Sequence, residues 1–184
     1  MKARRETALA AAILFLISSA PAWPWRPATK RTPPLTLWQV NNAEYQVAFD
    51  GKKHKLKNGK LVSGTVSQGN YLSIAIYKTA FGDLDGDETG DAAVLLAVNG
   101  GGTGTFHELA ILANKGGKPV YAATKRGLGD RNIVGTLSIT NRLVIIDMKV
   151  QGPADSLADP TKKVRWKFRL KWDKRNKYRV LQVQ

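Results

Sequence analysis

Residues 92–98 read Ala-Ala-Val-Leu-Leu-Ala-Val, seven apolar residues with no polar interruption. A half-buried strand alternates apolar with polar. A run this short that does not alternate is consistent with a strand buried on both faces. Working outward, residues 71–77 do alternate, with Leu72, Ile74 and Ile76 on one face. Residues 106–113, 120–124, 133–139 and 143–150 continue the strand pattern, punctuated by Gly and Asn. Residues 164–172 and 178–183 form a last pair joined by 173–177.

Upstream, residues 44–49 and 52–57 flank Asp50-Gly51, and Asn58-Gly59 follows. Asp-Gly and Asn-Gly are strong hairpin signals, because both central residues of a type I′ turn need positive φ. No stretch shows a helical period with caps at both ends; the expected exception is a turn of helix within 110–118. Closely spaced strands with short turns imply a mainly β chain with little helix after residue 22. Its architecture is a single antiparallel sandwich, barrel or layered meander over residues 35–184.

The chain has 184 residues and 43 % hydrophobic content, one domain's worth with enough apolar material for a core. With no cysteine, disulfides, thiolate metal sites and a cysteine nucleophile are excluded. Lys2, Arg4 and Arg5 precede an apolar run to Ile17, and Ala20 and Ala22 stand in an A-x-A arrangement. These are the parts of a secretory signal peptide, expected to be cleaved after Ala22. The apolar run is too short for a spanning helix, and Pro21, Pro24 and Pro27 interrupt any extension. Residues 23–34 carry four prolines and read as a linker. A chain beginning at Trp23 carries 26 basic residues against 13 acidic, a net +13. The expected location is periplasmic or secreted.

Residues 81–91 read Phe-Gly-Asp-Leu-Asp-Gly-Asp-Glu-Thr-Gly-Asp, placing Asp83, Asp85, Asp87 and Asp91 at positions 1, 3, 5 and 9 of a loop. Calcium takes six to eight oxygens, and alternating carboxylates on a curled loop supply them, with the Thr89 carbonyl expected at position 7. Five of the 13 acids after residue 22 fall within these nine residues, a clustering whose repulsion a cation would offset. The plainer reading is a solvated acidic turn.

This loop resembles those of FG-GAP and VCBS-type repeats, dockerins and EF-hands. It is most similar to FG-GAP, where an aromatic-Gly pair precedes the first Asp and a strand follows the last, as Phe81-Gly82 and residues 92–98 do here. One copy in a domain this short does not imply a propeller. The wider stretch GDLDGDETGDAAVLLAVNGGGTGTFHEL, with QGPADSLADPT downstream, also resembles a family of exported bacterial proteins of uncharacterised role. That resemblance spans residues 44–170 and implies no activity. In that family a Gly usually follows the third acid, where this chain has Glu88, and a cysteine pair is expected where it has Leu157-Ala158-Asp159.

Residues 99–105 (NGGGTGT) lack the Lys of a phosphate loop and lead into a strand, so they read as a wide connection beside the calcium loop. His107-Glu108 opens like a zinc motif, but residue 111 is Ile. His54 in its lysine-rich hairpin is expected to be merely solvated. No nucleophile elbow is present, so catalytic residues are not assigned, although Glu44 and Glu108 have the chemistry of a glycosidase pair.

Lys163, Arg165, Lys167, Arg169 and Lys171 alternate with Val164, Trp166, Phe168, Leu170 and Trp172. In a strand this puts five cations on one face and the apolar residues on the other. Residues 160–184 hold ten basic residues and one acid. The functional reading is a face for anionic polymers, lipopolysaccharide or acidic polysaccharide. The bland reading is a solvated face whose lysines discourage edge pairing. With the aromatics on the apolar face, base stacking and hence nucleic acid are not supported. The sequence therefore points to an exported calcium-binding module with a basic face. The alternative is a hydrolase of glycans or esters ordered by calcium.

Overall fold

The computed structural model describes residues 32–156, 159–173 and 177–183. The expected signal peptide, linker residues 23–31 and Leu157-Ala158 lie outside them.

The described chain is almost wholly antiparallel β. A short helix α1 (Leu37–Asn41) and the hairpin β1 (Glu44–Gln46) and β2 (Lys53–Lys55) come first. The strands β3 (Lys60–Ser63), β4 (Leu72–Gly82), β5 (Asp91–Asn99), β6 (Phe106–Asn114) and β7 (Pro119–Lys125) form a five-stranded sheet in sequence order. The strands β8 (Ile133–Thr140), β9 (Leu143–Val150), β10 (Lys162–Asp173) and β11 (Lys177–Val183) form a second sheet of four, also in order. The expectation of a mainly β, antiparallel chain, a sandwich, barrel or layered meander, holds.

Strand β5 explains the layering. Ala92, Val94, Leu96 and Val98 are fully buried on one side, against Leu35, Val40, Tyr45, Val47 and Leu56 from the N-terminal helix and hairpin. Ala93 and Leu95 are fully buried on the other, against Val144, Ile146 and Phe168 of the second sheet. Period-2 geometry sends a continuous apolar run into two cores at once. The five-stranded sheet is therefore the middle of three layers. Where β4 meets β8, Gly82 lies against Ile139; a Cβ there would stand 2.7 Å from Ile139 Cγ2.

Three local expectations change. Residues 110–118 contain no helix: Ala110 to Asn114 complete β6, buried throughout, and 115–118 form the turn to β7. Burial on both faces removes the period-2 pattern that separates strand from helix. Helix α1, unforeseen, is nucleated by a capping box in which Thr36 Oγ1 accepts the Gln39 N–H and Gln39 Oε1 accepts the Thr36 N–H. Of the two turn dipeptides, Asn58-Gly59 has both residues at positive φ as expected, whereas at Asp50-Gly51 only Gly51 does. That second loop is longer, closed by the Val47 N–H to Lys52 O and the Gly51 N–H to Val47 O.

Candidate metal centre and basic face

In an antiparallel meander alternate turns lie at the same end of the sheet, so the β4–β5 loop neighbours the β6–β7 turn. The acidic loop is built around Asp91, which opens β5 and is fully buried. Asp91 Oδ2 accepts the Leu84 N–H at 2.9 Å and Oδ1 accepts the Asn114 N–H at 2.9 Å, pinning the loop to β6. Burial raises the pKa of this carboxyl, against the two N–H bonds; Asp85 and Asp87 nearby raise it further.

The remaining acids close small rings of their own. Asp83 Oδ1 accepts the Gly86 N–H at 2.6 Å, and Asp85 Oδ1 accepts the Asp87 N–H at 3.3 Å. Asp87 Oδ1 accepts both the N–H and the hydroxyl of Thr89, at 3.0 and 2.5 Å. Gly86, at φ 91°, and Glu88, at φ 63°, carry the loop through the left-handed region. Glycine is at home there; Glu88 is strained.

Carboxylate oxygens of Asp83, Asp85 and Asp91 lie within 4.8 Å of one another, a spacing that can hold a metal ion. Asp87 stands outside this trio, turned to Thr89 and to Lys115. The donor set is all oxygen, as a hard cation requires. Each of the three carboxylates keeps at least one oxygen with a lone pair to spare, so the residues could hold such an ion.

Three side chains that sequence reading missed surround the loop. Lys115, on the β6–β7 turn, reaches Asp85 Oδ2 at 3.0 Å and Asp87 Oδ2 at 3.3 Å. Arg142, on the β8–β9 turn, stands 3.6 Å from Asp83 Oδ2. The Tyr178 hydroxyl, on β11, donates to Asp85 Oδ2 at 2.8 Å. The bond to Asp85 holds the Lys115 ammonium well above its ordinary pKa. Slight burial works to raise the Asp87 carboxyl, but the hydrogen bonds from Thr89 and Lys115 prevail and hold it low. The chain thus supplies its own cations to the acidic loop. Between the loop and β10–β11 lies a hollow of about 310 Å³ bounded by Asp85, Lys115, Trp172 and Tyr178.

The alternation in β10 is realised. Phe168 and Leu170 are buried in the inter-sheet core, while Lys163, Arg165, Arg169 and Lys171 are exposed and Lys167 half-buried on the outward face. Register adds Lys149, opposite Lys163, and Arg179, opposite Lys171. Arg165 is engaged rather than free, its Nε and Nη2 on the two oxygens of Asp147 at 2.6 and 3.0 Å. Arg179 likewise pairs with Asp173 at 3.0 Å.

The weaker motifs find structural roles. The glycine-rich segment connects β5 to β6, held by Asn99, whose Nδ2 donates to Gly102 O and Gly104 O at 3.0 and 2.6 Å. It does not lie beside the acidic loop: the nine residues of β5 separate the two, about 30 Å of strand. Its Gly100 instead lies against the ring of Phe49, where a Cβ would collide with the ring edge. His54 is not simply solvated; its Nε2 sits 2.9 Å from Asp50 Oδ2. His107 is buried edge-on to the Tyr77 ring, with Nδ1 lacking a hydrogen-bond partner among the described residues. Burial lowers its pKa. Glu108 is buried and accepts the Ala48 N–H at 2.6 Å, whereas Glu44 pairs with Lys53 at 3.0 Å. Each of the two glutamates thus has partners of its own.

No protein family, curated protein or solved structure gives a match to this chain. No helix among the described residues is long and apolar enough to cross a membrane.

Proposed function

We propose that this protein is an exported, calcium-binding module of the bacterial envelope that engages anionic polymers through the outward face of its four-stranded sheet. One observation carries the reading. Lys149, Lys163, Lys167, Arg169 and Lys171 share that face, and none has an ion-pair partner among the described residues. Cross-strand like charges repel, and an anionic ligand offsets that repulsion. Calcium at Asp83, Asp85 and Asp91 has a structural role here, holding the loop that leads into β5. The amino-terminal charge, apolar run and A-x-A site support export.

The test is retention of the chain beginning at Trp23 on immobilised heparin and on lipopolysaccharide. Both core clusters are drawn from residues Leu35 to Val180, so this chain carries the whole fold. Retention that falls steeply with added salt is expected, since each contact with an anion releases counterions. Passage through both matrices at low salt would overturn the reading.

A further inference from the structure

The outward face of the four-stranded sheet is cationic but also carries exposed hydrocarbon. Antiparallel register places Leu143 and Ile145 of β9, Ile133 of β8 and Leu181 and Val183 of β11 on the same side as the lysines. Ile133 is 46 % exposed and Leu181 44 %, on the two edge strands of the sheet. Beside each lies a hollow. One, of about 550 Å³, is framed by Ile133, Lys149 and Lys163; the other, of about 370 Å³, by Lys171, Arg179 and Leu181. The two acids among the described residues of this face, Asp147 and Asp173, are already paired with Arg165 and Arg179. What remains is net positive charge interleaved with aliphatic side chains.

An acidic polysaccharide is held by cations and hydrogen bonds, and Ile133 and Leu181 add nothing to that. A bilayer of anionic lipids uses both features. Lysine and arginine stems reach outward to the phosphates, while aliphatic side chains enter the boundary between headgroups and acyl chains. We propose that this sheet face docks on the surface of an anionic lipid bilayer. The proposal rests on the anion-binding reading of the same face and assigns it a lipid surface in place of a soluble polymer.

Co-sedimentation with phosphatidylcholine–phosphatidylglycerol vesicles, and with pure phosphatidylcholine vesicles, tests it on the chain beginning at Trp23. Binding is expected to the anionic vesicles alone. Lys167→Gln with Lys171→Gln should weaken it roughly 25-fold, at about fivefold per charge. Ile133→Ser with Leu181→Ser should weaken it roughly tenfold while leaving retention on heparin unchanged. All four positions face solvent at least in part, and an unchanged unfolding midpoint confirms that each variant folds. Wild-type vesicle binding by the Ile133→Ser, Leu181→Ser variant would overturn lipid docking. So would equal binding to neutral vesicles, or retention on heparin with no binding to vesicles; that last result leaves the polyanion reading standing. Failure to bind either vesicles or heparin would overturn both.

Discussion

Tyr178 donates its hydroxyl to Asp85 Oδ2 at 2.8 Å, joining residues 93 positions apart. Asp85 belongs to the acidic loop of the five-stranded sheet and Tyr178 to the last strand of the other sheet, so one hydrogen bond ties the two layers at the candidate metal centre. The Trp172 ring packs edge-on against Tyr178 with centroids 4.6 Å apart and fixes where the phenol points.

Tyr178→Phe deletes that bond and keeps the ring. The protein without calcium should lose about 1 kcal/mol of stability, the net worth of a partly exposed hydrogen bond to a carboxylate. Urea unfolding of the variant beside wild type reads the loss, and identical midpoints would mean that the contact contributes nothing.

Lys115 occupies two of the carboxylates that the acidic loop offers. Saturating calcium should stabilise the protein by about 2.7 kcal/mol at a hundredfold excess over Kd, and Asp83→Ala with Asp85→Ala should abolish that gain. Lys115→Gln removes a competing positive charge and should tighten calcium binding roughly tenfold. Thermal unfolding with calcium and then with chelator measures the first pair of effects, and calorimetric titration the second. A calcium-insensitive midpoint in the wild type would reduce the loop to an acidic turn held by Lys115 and Arg142.

Glu88 sits at φ 63°, and its side chain makes no hydrogen bond or ion pair among the described residues. Glu88→Gly should stabilise the protein by up to about 1 kcal/mol, relieving a left-handed conformation that costs any residue with a Cβ. Gly86→Ala should act oppositely, because φ is 91° and the new methyl would meet the Arg142 guanidinium at 2.6 Å. Differential scanning calorimetry on both variants checks the pair of signs.

Asp147 carries the acid-side prediction. The Arg165 guanidinium and the Thr136 hydroxyl lower its pKa from the ordinary 3.8 to about 2. A depressed folded-state value means stability fully present above 3.8 and lost as the pH falls through about 2. Asp147→Asn should therefore flatten the stability profile across that window without changing its shape near neutrality. An unaltered acid limb would show that Asp147 titrates alike in the folded and unfolded chains.

Much of this architecture was legible along the chain. The apolar run of β5 announced burial on both faces, the strict alternation of β10 announced a cationic face, and Asn58-Gly59 announced its turn. The strand expected over 106–113 formed, but the turn of helix expected within 110–118 did not, because burial on both faces blurs the alternation that distinguishes a strand. Periodicity failed also at 37–41, a helix of five residues too short to show a period. The acid spacing marked the loop itself, because the ligands of such a loop are close in sequence.

Local order, then, was written in the sequence: strand periodicity, turn dipeptides, the carboxylate spacing and the sign of each face depend on residues a few positions apart. What surrounds the acidic loop was decided by tertiary structure alone. Lys115 and Tyr178 lie 30 and 93 residues from Asp85, and nothing in their own neighbourhoods marks them as its partners. Antiparallel pairing returns successive turns to one end of the sheet, and packing of the second sheet brings the start of β11 over that end. Register within the second sheet set Asp147 opposite Arg165 and so removed one cation of five from the exposed ladder. Register and layer order set these contacts, and both depend on which apolar faces bury each other across the whole chain.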